Sequence, residues 1–219
     1  MSSPIVPEIQ DKEWKSPEEW LSQHREFLRL AEDKRIPLLF LGDSITQGWS
    51  GAGKKAWDAA FAPLGGVNFG IGGDEVQHVL WRVLNGEVDG LSPALVVLLI
   101  GTNNIGNAGH SGLDTAEGIK LLVNTLREKM PETAILLHKV FPRDQEAGTP
   151  FRREIAALNQ SISSLKGEAG VTLIDVNHLF LEDDGTIAVS TMPDFLHLSM
   201  KSYHRWADVL LPEVRRLMS

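Results

Sequence analysis

The segment 37–49 reads Pro-Leu-Leu-Phe-Leu-Gly-Asp-Ser-Ile-Thr-Gln-Gly-Trp, and it holds the side chain best suited to covalent chemistry. Residues 38–41 are an apolar run of strand length. Gly42 ends the run and lets the backbone turn. Ser44 then falls at the carboxyl end of a buried strand, where open α/β sheets keep their ligands. A serine on such a rigid support is placed as a nucleophile. The competing reading is local: Asp43 or Ser44 caps a turn.

A serine nucleophile needs a base, a group that orients the base, and donors for an oxyanion. The donors are sought at two later strand ends, Gly72-Gly73-Asp74 and Gly101-Thr102-Asn103-Asn104. Gly73 lets a substrate approach its N–H, and Asn103 offers a neutral side-chain amide. With the N–H of Ser44 they compose a candidate oxyanion hole. Alone, the glycines read as a tight turn and Asn103 as an Asx-turn. For the base, two Asp-x-x-His pairs compete, Asp175 with His178 and Asp194 with His197. Spacing does not choose between them. His24, His78, His110, His138 and His204 show no metal-ligand spacing, so no metal is expected. Two glycine-rich stretches are decoys. Residues 48–54 match a phosphate-binding loop, but Lys55 stands where Ser or Thr is required. Residues 70–73 resemble a dinucleotide fingerprint, but Glu75 holds the third glycine position.

Composition narrows the classes. The 219-residue chain carries a net charge of −8 and is 42% hydrophobic, with no cysteine. The acidic balance disfavours nucleic acid and anionic membrane surfaces as partners. The lack of thiols removes disulfides, zinc–thiolate sites and cysteine nucleophiles. Residues 1–15 hold no apolar leader segment, and no run reaches membrane-spanning length. The expectation is a cytoplasmic enzyme if the sequence is complete, and a secreted or periplasmic one if a leader has been trimmed.

The elements that must position these groups alternate. Residues 1–15 read as an extended arm. Ser16-Pro17-Glu18-Glu19 is a capping box with proline at the first helical position. The helix that follows turns Trp20, Leu21, His24, Phe27, Leu28 and Ala31 to one side. Strands are expected at 38–41, 66–70, 94–100, 134–140 and 171–175. Helices are expected at 56–61, after an N-cap at Asp74, at 114–130, after Thr149-Pro150, and at the C-terminus beyond Ser199. A loop is expected from the strand end at 101–104 to Gly112, and a long irregular stretch from 176 to 198. Strands alternating with helices imply a parallel sheet with right-handed crossovers. Without a repeat or linker, residues 1–219 form a single domain.

Gly42-Asp43-Ser44, Gly73, Gly101-Thr102-Asn103 and Asp194-Phe195-Leu196-His197 together resemble the four ordered sequence blocks of the SGNH, or GDSL-type, hydrolases. Within that family the chain is most similar to the branch holding the catalytic subunits of intracellular platelet-activating-factor acetylhydrolases. The similar segments include Trp20-Leu21-Ser22-Gln23-His24, residues 68–74, His78-Val79-Leu80-Trp81-Arg82, Asn85-Gly86-Glu87 and residues 194–198. The resemblance implies a three-layer α/β/α sandwich around a flavodoxin-like five-stranded parallel sheet. It implies serine ester hydrolysis with no metal and no cofactor. By motif position Ser44 is the nucleophile, Asp194 and His197 complete the triad, and Gly73 and Asn103 complete the oxyanion hole. Ile45, Thr102 and Leu196, each beside a motif residue, are the expected walls of a short-acyl pocket. The segment 45–55 is similar to bacterial members, and Ile105 replaces a histidine of the phospholipid-type branch. The expected function is removal of a short acyl group, acetyl above all, from a small-molecule ester. A carbohydrate O-acetyl esterase and a non-catalytic binding module on the same fold are the alternatives. A homodimer is left open.

Overall fold

The structure is a computed structural model that describes residues 2–33 and 35–219. Met1, the tip of the expected arm, lies outside the described residues. Helix α1 (Pro17–Glu32) begins at the expected capping box, with Ser16 and Glu19 bonding reciprocally. Strand β1 (Leu38–Gly42) is buried along its whole length. The helical turn α2 (Ser44–Gln47) leaves it at once. Gly42 permits this turn, because a Cβ there would come within 2.2 Å of the Leu99 carbonyl oxygen and 2.3 Å of Thr46 Oγ1. Helix α3 (Lys54–Ala60) and strand β2 (Gly66–Gly70) follow. Then come α4 (Val76–Arg82), β3 (Leu95–Leu99), α5 (Thr102–Gly106) and α6 (Gly112–Lys129). Strand β4 (Ala134–His138), α7 (Pro150–Ile162), β5 (Val171–Ile174) and α8 (Met200–Leu217) complete the order.

The five strands are parallel in the order β2-β1-β3-β4-β5, the flavodoxin-like arrangement. Two apolar cores cover its faces. One holds residues of α1, α4, α6 and α7 against Leu39, Leu41, Val96, Leu98, Ile135 and Leu137. The other holds α3 and α8 against Leu38, Phe40, Leu95, Val97, Leu99 and Leu136. Odd and even strand positions thus serve opposite layers, which is why these runs show no polar alternation. The strand order reverses between β1 and β3, so the ends of those strands flank the topological switch point.

Two local expectations are revised. Asp74 does not cap α4; Glu75 does, in a reciprocal pair with His78. Asp74 is drawn inward instead, toward Arg82, because a buried guanidinium needs a carboxylate more than a helix end does. Residues 102–106, read as a strand end running into a loop, form α5. The glycines of the phosphate-loop decoy pack against aromatic rings: a Cβ on Gly48 would meet the Tyr203 hydroxyl at 2.0 Å, and one on Gly53 would meet Trp49 and Tyr203 at 2.8 Å.

Candidate active site

Ser44 is the first residue of α2, at the end of β1. Asp43 caps that turn through a 2.9 Å bond from Ile45 N–H to its Oδ1. Asp43 is therefore the cap, which leaves the Ser44 hydroxyl free of that role. Asp43 is almost fully buried. Burial pushes its carboxyl up to about 7, despite the Ile45 hydrogen bond.

His197 reaches Ser44 from the loop before α8, on the opposite face of the sheet from α4. Its Nε2 lies 2.9 Å from Ser44 Oγ, and its Nδ1 lies 2.6 Å from Asp194 Oδ2. Asp194 Oδ1 accepts from the backbone N–H groups of His197 at 2.7 Å and Leu196 at 3.1 Å. The turn that allows this passes through Phe195 at φ +59°, a conformation a non-glycine residue adopts only under outside constraint. The constraint includes bonds from Phe195 N–H to the Met192 carbonyl and from Asp144 N–H to the Phe195 carbonyl. Burial pushes the Asp194 carboxyl up, but the bonds from the His197 ring and backbone outweigh it and hold the group below the usual range. The competing pair, Asp175 and His178, makes no such relay. Both are exposed, and Asp175 is engaged by Lys139 at 3.1 Å and by Asn177 N–H.

The donor side comes from the face that carries α4 and α5. Gly73 sits at φ +83° in the loop between β2 and α4. Asn103, buried in α5, donates from Nδ2 to the Asp74 carbonyl at 2.9 Å, while its Oδ1 accepts from Asn107. Asn104 fastens the same two loops, accepting from Val76 N–H at 2.9 Å and donating to Gln77 Oε1 at 2.8 Å. Ser44, His197 and Asp194 are thus joined side chain to side chain, and Asn103 is joined to the loop that carries Gly73. The three expected acyl-pocket residues differ in their surroundings. Ile45 packs into the α3–α8 core, Thr102 is buried with its carbonyl taking a 3.1 Å bond from Arg143, and Leu196 is half-buried.

Beneath the donor loop lies a charged cluster that spacing alone did not indicate. Arg82 is 0% exposed, and its Nη1 donates to Glu87 Oε2 at 2.7 Å and to the Phe69 carbonyl at 3.1 Å. Its Nη2 lies 3.0 Å from Asp74 Oδ2, an ion pair too bent to be a hydrogen bond. Asp74 Oδ1 takes Trp20 Nε1 at 2.7 Å and Gln10 Nε2 at 2.8 Å. Glu87 also bonds His24 Nδ1 at 2.7 Å. The cluster ties the arm, α1, β2 and α4 to the loop that holds Gly73. Apart from Gln10, its members lie in the segments that carried the family resemblance, which was the available signal.

Ser44, His197 and Asp194 thus bond in series at the switch point of a doubly wound sheet, where such folds keep their ligands. Residues 40–205 match the GDSL-like Lipase/Acylhydrolase family, and the chain belongs to that family, a carboxylic ester hydrolase by kinship. It is 36% identical over 200 residues to platelet-activating factor acetylhydrolase IB subunit alpha2 of Rattus norvegicus, covering 91% of this chain and 85% of that one. Its fold is shared by a GDSL-like lipase from Bacteroides thetaiotaomicron, with a TM-score of 0.65, 20% identity, and 88% and 97% of the chains covered. It is shared also by a catalytic mutant of an acetylxylan esterase from Geobacillus stearothermophilus, with a TM-score of 0.64, 19% identity, and 81% and 93% covered. No helix among the described residues is long and apolar enough to cross a membrane.

Proposed function

We propose that the protein hydrolyses short-acyl esters, acetyl esters foremost, through a covalent acyl-enzyme on Ser44. The observation that carries this reading is the unbroken chain from Ser44 Oγ to His197 Nε2 and from His197 Nδ1 to Asp194 Oδ2, at 2.9 and 2.6 Å. His197 takes the Ser44 proton as Oγ adds to the ester carbonyl carbon. The carbonyl oxygen becomes an oxyanion facing the N–H groups of Ser44 and Gly73 and the Asn103 amide. Collapse breaks the ester C–O bond, and His197 returns its proton to the departing alkoxide. Water, deprotonated by the same nitrogen, then releases the acyl group and restores Ser44. Asp194 holds the ring in the tautomer with Nδ1 protonated and stabilises the imidazolium between steps.

Ile45, Thr102 and Leu196 supply the walls that limit acyl length. A carbohydrate O-acetyl ester is a second reading. It is favoured by the polar side chains that stand along the neighbouring grooves, Glu19, Gln23, Gln47 and Asn68.

The test is release of p-nitrophenol from p-nitrophenyl acetate, with an organophosphate as active-site label. Wild-type protein is expected to turn over and to be labelled at Ser44. Ser44→Ala is expected to fold, judged by its circular dichroism, and to lose nearly all activity. An active alanine variant, or a label at another residue, refutes the assignment.

A further inference from the structure

The N-terminal arm delivers two side chains to the rim of this site. The arm is firmly laid down: Gln10 is 0% exposed and bonds Asp74 and the Gly72 carbonyl, and Lys12 pairs with Glu75. Trp14 lies directly on the donor loop. A Cβ built on Gly73 would come within 2.4 Å of Trp14 Cη2 and 2.6 Å of Cζ2. The indole is nonetheless 61% exposed, so ring surface remains open beside the glycine.

Lys15 is its neighbour. Its Nζ donates to the Gly72 carbonyl at 3.0 Å and to Gln23 Oε1 at 3.2 Å. An ammonium has three protons, so one remains for another acceptor. A Cβ built on Gly72 would lie 3.8 Å from Ser44 Cβ, 3.9 Å from Lys15 Nζ and 2.9 Å from Gln47 Oε1. The nucleophile, the ammonium and an amide thus face one small space.

From there a groove of about 530 Å³ runs past Trp14, Lys15, Glu19, Gln23 and Glu26, within the rough 300–1,000 Å³ range of small-molecule sites. A second, of about 190 Å³, continues past Gln47, Ser50 and Asn68. Amide, hydroxyl and charged side chains stand along both grooves, with Trp14 as the aromatic surface of the first and Phe27 of the second. A saturated polyol ring suits the same lining. Its C–H face is weakly positive and packs on the negative face of an indole, while its hydroxyls donate and accept at once, as amides and charged groups require.

The direction also fits. The acyl walls include Thr102, beyond β3, whereas Trp14 and Lys15 sit on the loop beyond β2, and β1 lies between those strands. We propose that Trp14 and Lys15 form the subsite for the alcohol portion of the ester, and that this portion is a polyhydroxylated ring stacked on Trp14 with a hydroxyl on Lys15. The inference rests on Ser44 being the nucleophile.

The test compares ethyl acetate, which has no ring, with an O-acetylated methyl pyranoside, both followed by acid release at constant pH. The wild type is expected to favour the pyranoside ester in kcat/KM. Trp14→Ala, and Trp14→Leu, which keeps a side chain against Gly73, are each expected to lower that preference tenfold or more. The change should fall on KM for the pyranoside rather than on kcat, and Trp14→Phe should recover most of it. Equal losses on both esters that Phe does not restore would make Trp14 a mere prop for the arm and overturn the proposal. Wild-type cleavage of ethyl acetate without preference for the pyranoside would overturn the subsite and leave Ser44 in place. Failure to cleave either ester, with Ser44 unlabelled by organophosphate, would remove the site reading and the subsite together.

Discussion

Asn103 Nδ2 donates to the Asp74 carbonyl at 2.9 Å. One amide hydrogen is therefore spent on the residue after Gly73, which leaves one for another acceptor. The bond fixes the amide plane relative to the Gly73 loop, so the two candidate oxyanion donors are set before substrate arrives. Such preorganisation is what makes a donor effective in the transition state.

Asn103→Ala removes that donor. The expected cost is about 3 kcal/mol of barrier, a hundredfold or more in kcat, with KM much less affected. Steady-state kinetics on p-nitrophenyl acetate measure it. A large rise in KM at constant kcat would instead make Asn103 a ground-state binder.

The two Asp-x-x-His pairs make a paired prediction. His197→Ala should lower turnover about as severely as Ser44→Ala, because triad members act as a unit. His178→Ala should leave turnover close to wild type, since Asp175 is held by Lys139 rather than by His178. The reverse pattern would move the base to the β5 loop.

Acyl length is the next measurable property. Ile45 and Thr102 are buried and Leu196 is half-buried beside the triad, and a rigid wall rejects longer chains by overlap. The specificity constant for p-nitrophenyl esters should fall from acetyl to butyryl and nearly vanish at octanoyl. Leu196→Ala should shift the profile toward longer chains. A flat profile, or a maximum at octanoyl, would show that these side chains do not bound the substrate.

Asp43 makes stability depend on pH. Its carboxyl titrates near 7 in the folded protein, raised chiefly by burial, against about 3.9 in an unfolded chain. Between those values the unfolded chain has released the proton and the folded one still holds it. Stability from this group is thus complete at low pH, declines as pH rises from about 4 to 7, and is level above that. Asp43→Asn abolishes the titration. The melting temperature of the variant minus that of the wild type should rise between pH 4 and 7 and then flatten. A difference that does not vary with pH would mean that Asp43 is ionised throughout.

Much of this was legible in the chain itself. The apolar runs at 38–41, 94–100 and 134–140 marked strands buried on both faces, because their residues must serve two cores at once. Ser16-Pro17-Glu18-Glu19 set the start of α1, since capping is satisfied within four consecutive residues. The ordered blocks around Ser44, Gly73, Asn103 and His197 indicated the family. What the sequence could not decide by spacing was anything that depends on distant segments meeting. Asp175-x-x-His178 and Asp194-x-x-His197 are alike as strings, and only the loop before α8, bent at Phe195, brings one histidine 2.9 Å from Ser44. Asp74 satisfies every local rule for an N-cap, yet a desolvated Arg82 claims it, because an unpaired buried charge costs more than a lost cap. Trp14 sits in an arm without periodicity, and its place against Gly73 follows from the anchoring of Gln10, Lys12 and Lys15 on loops some 60 residues away along the chain. Local chemistry is written in neighbouring residues; these contacts are set by how the layers close around the sheet.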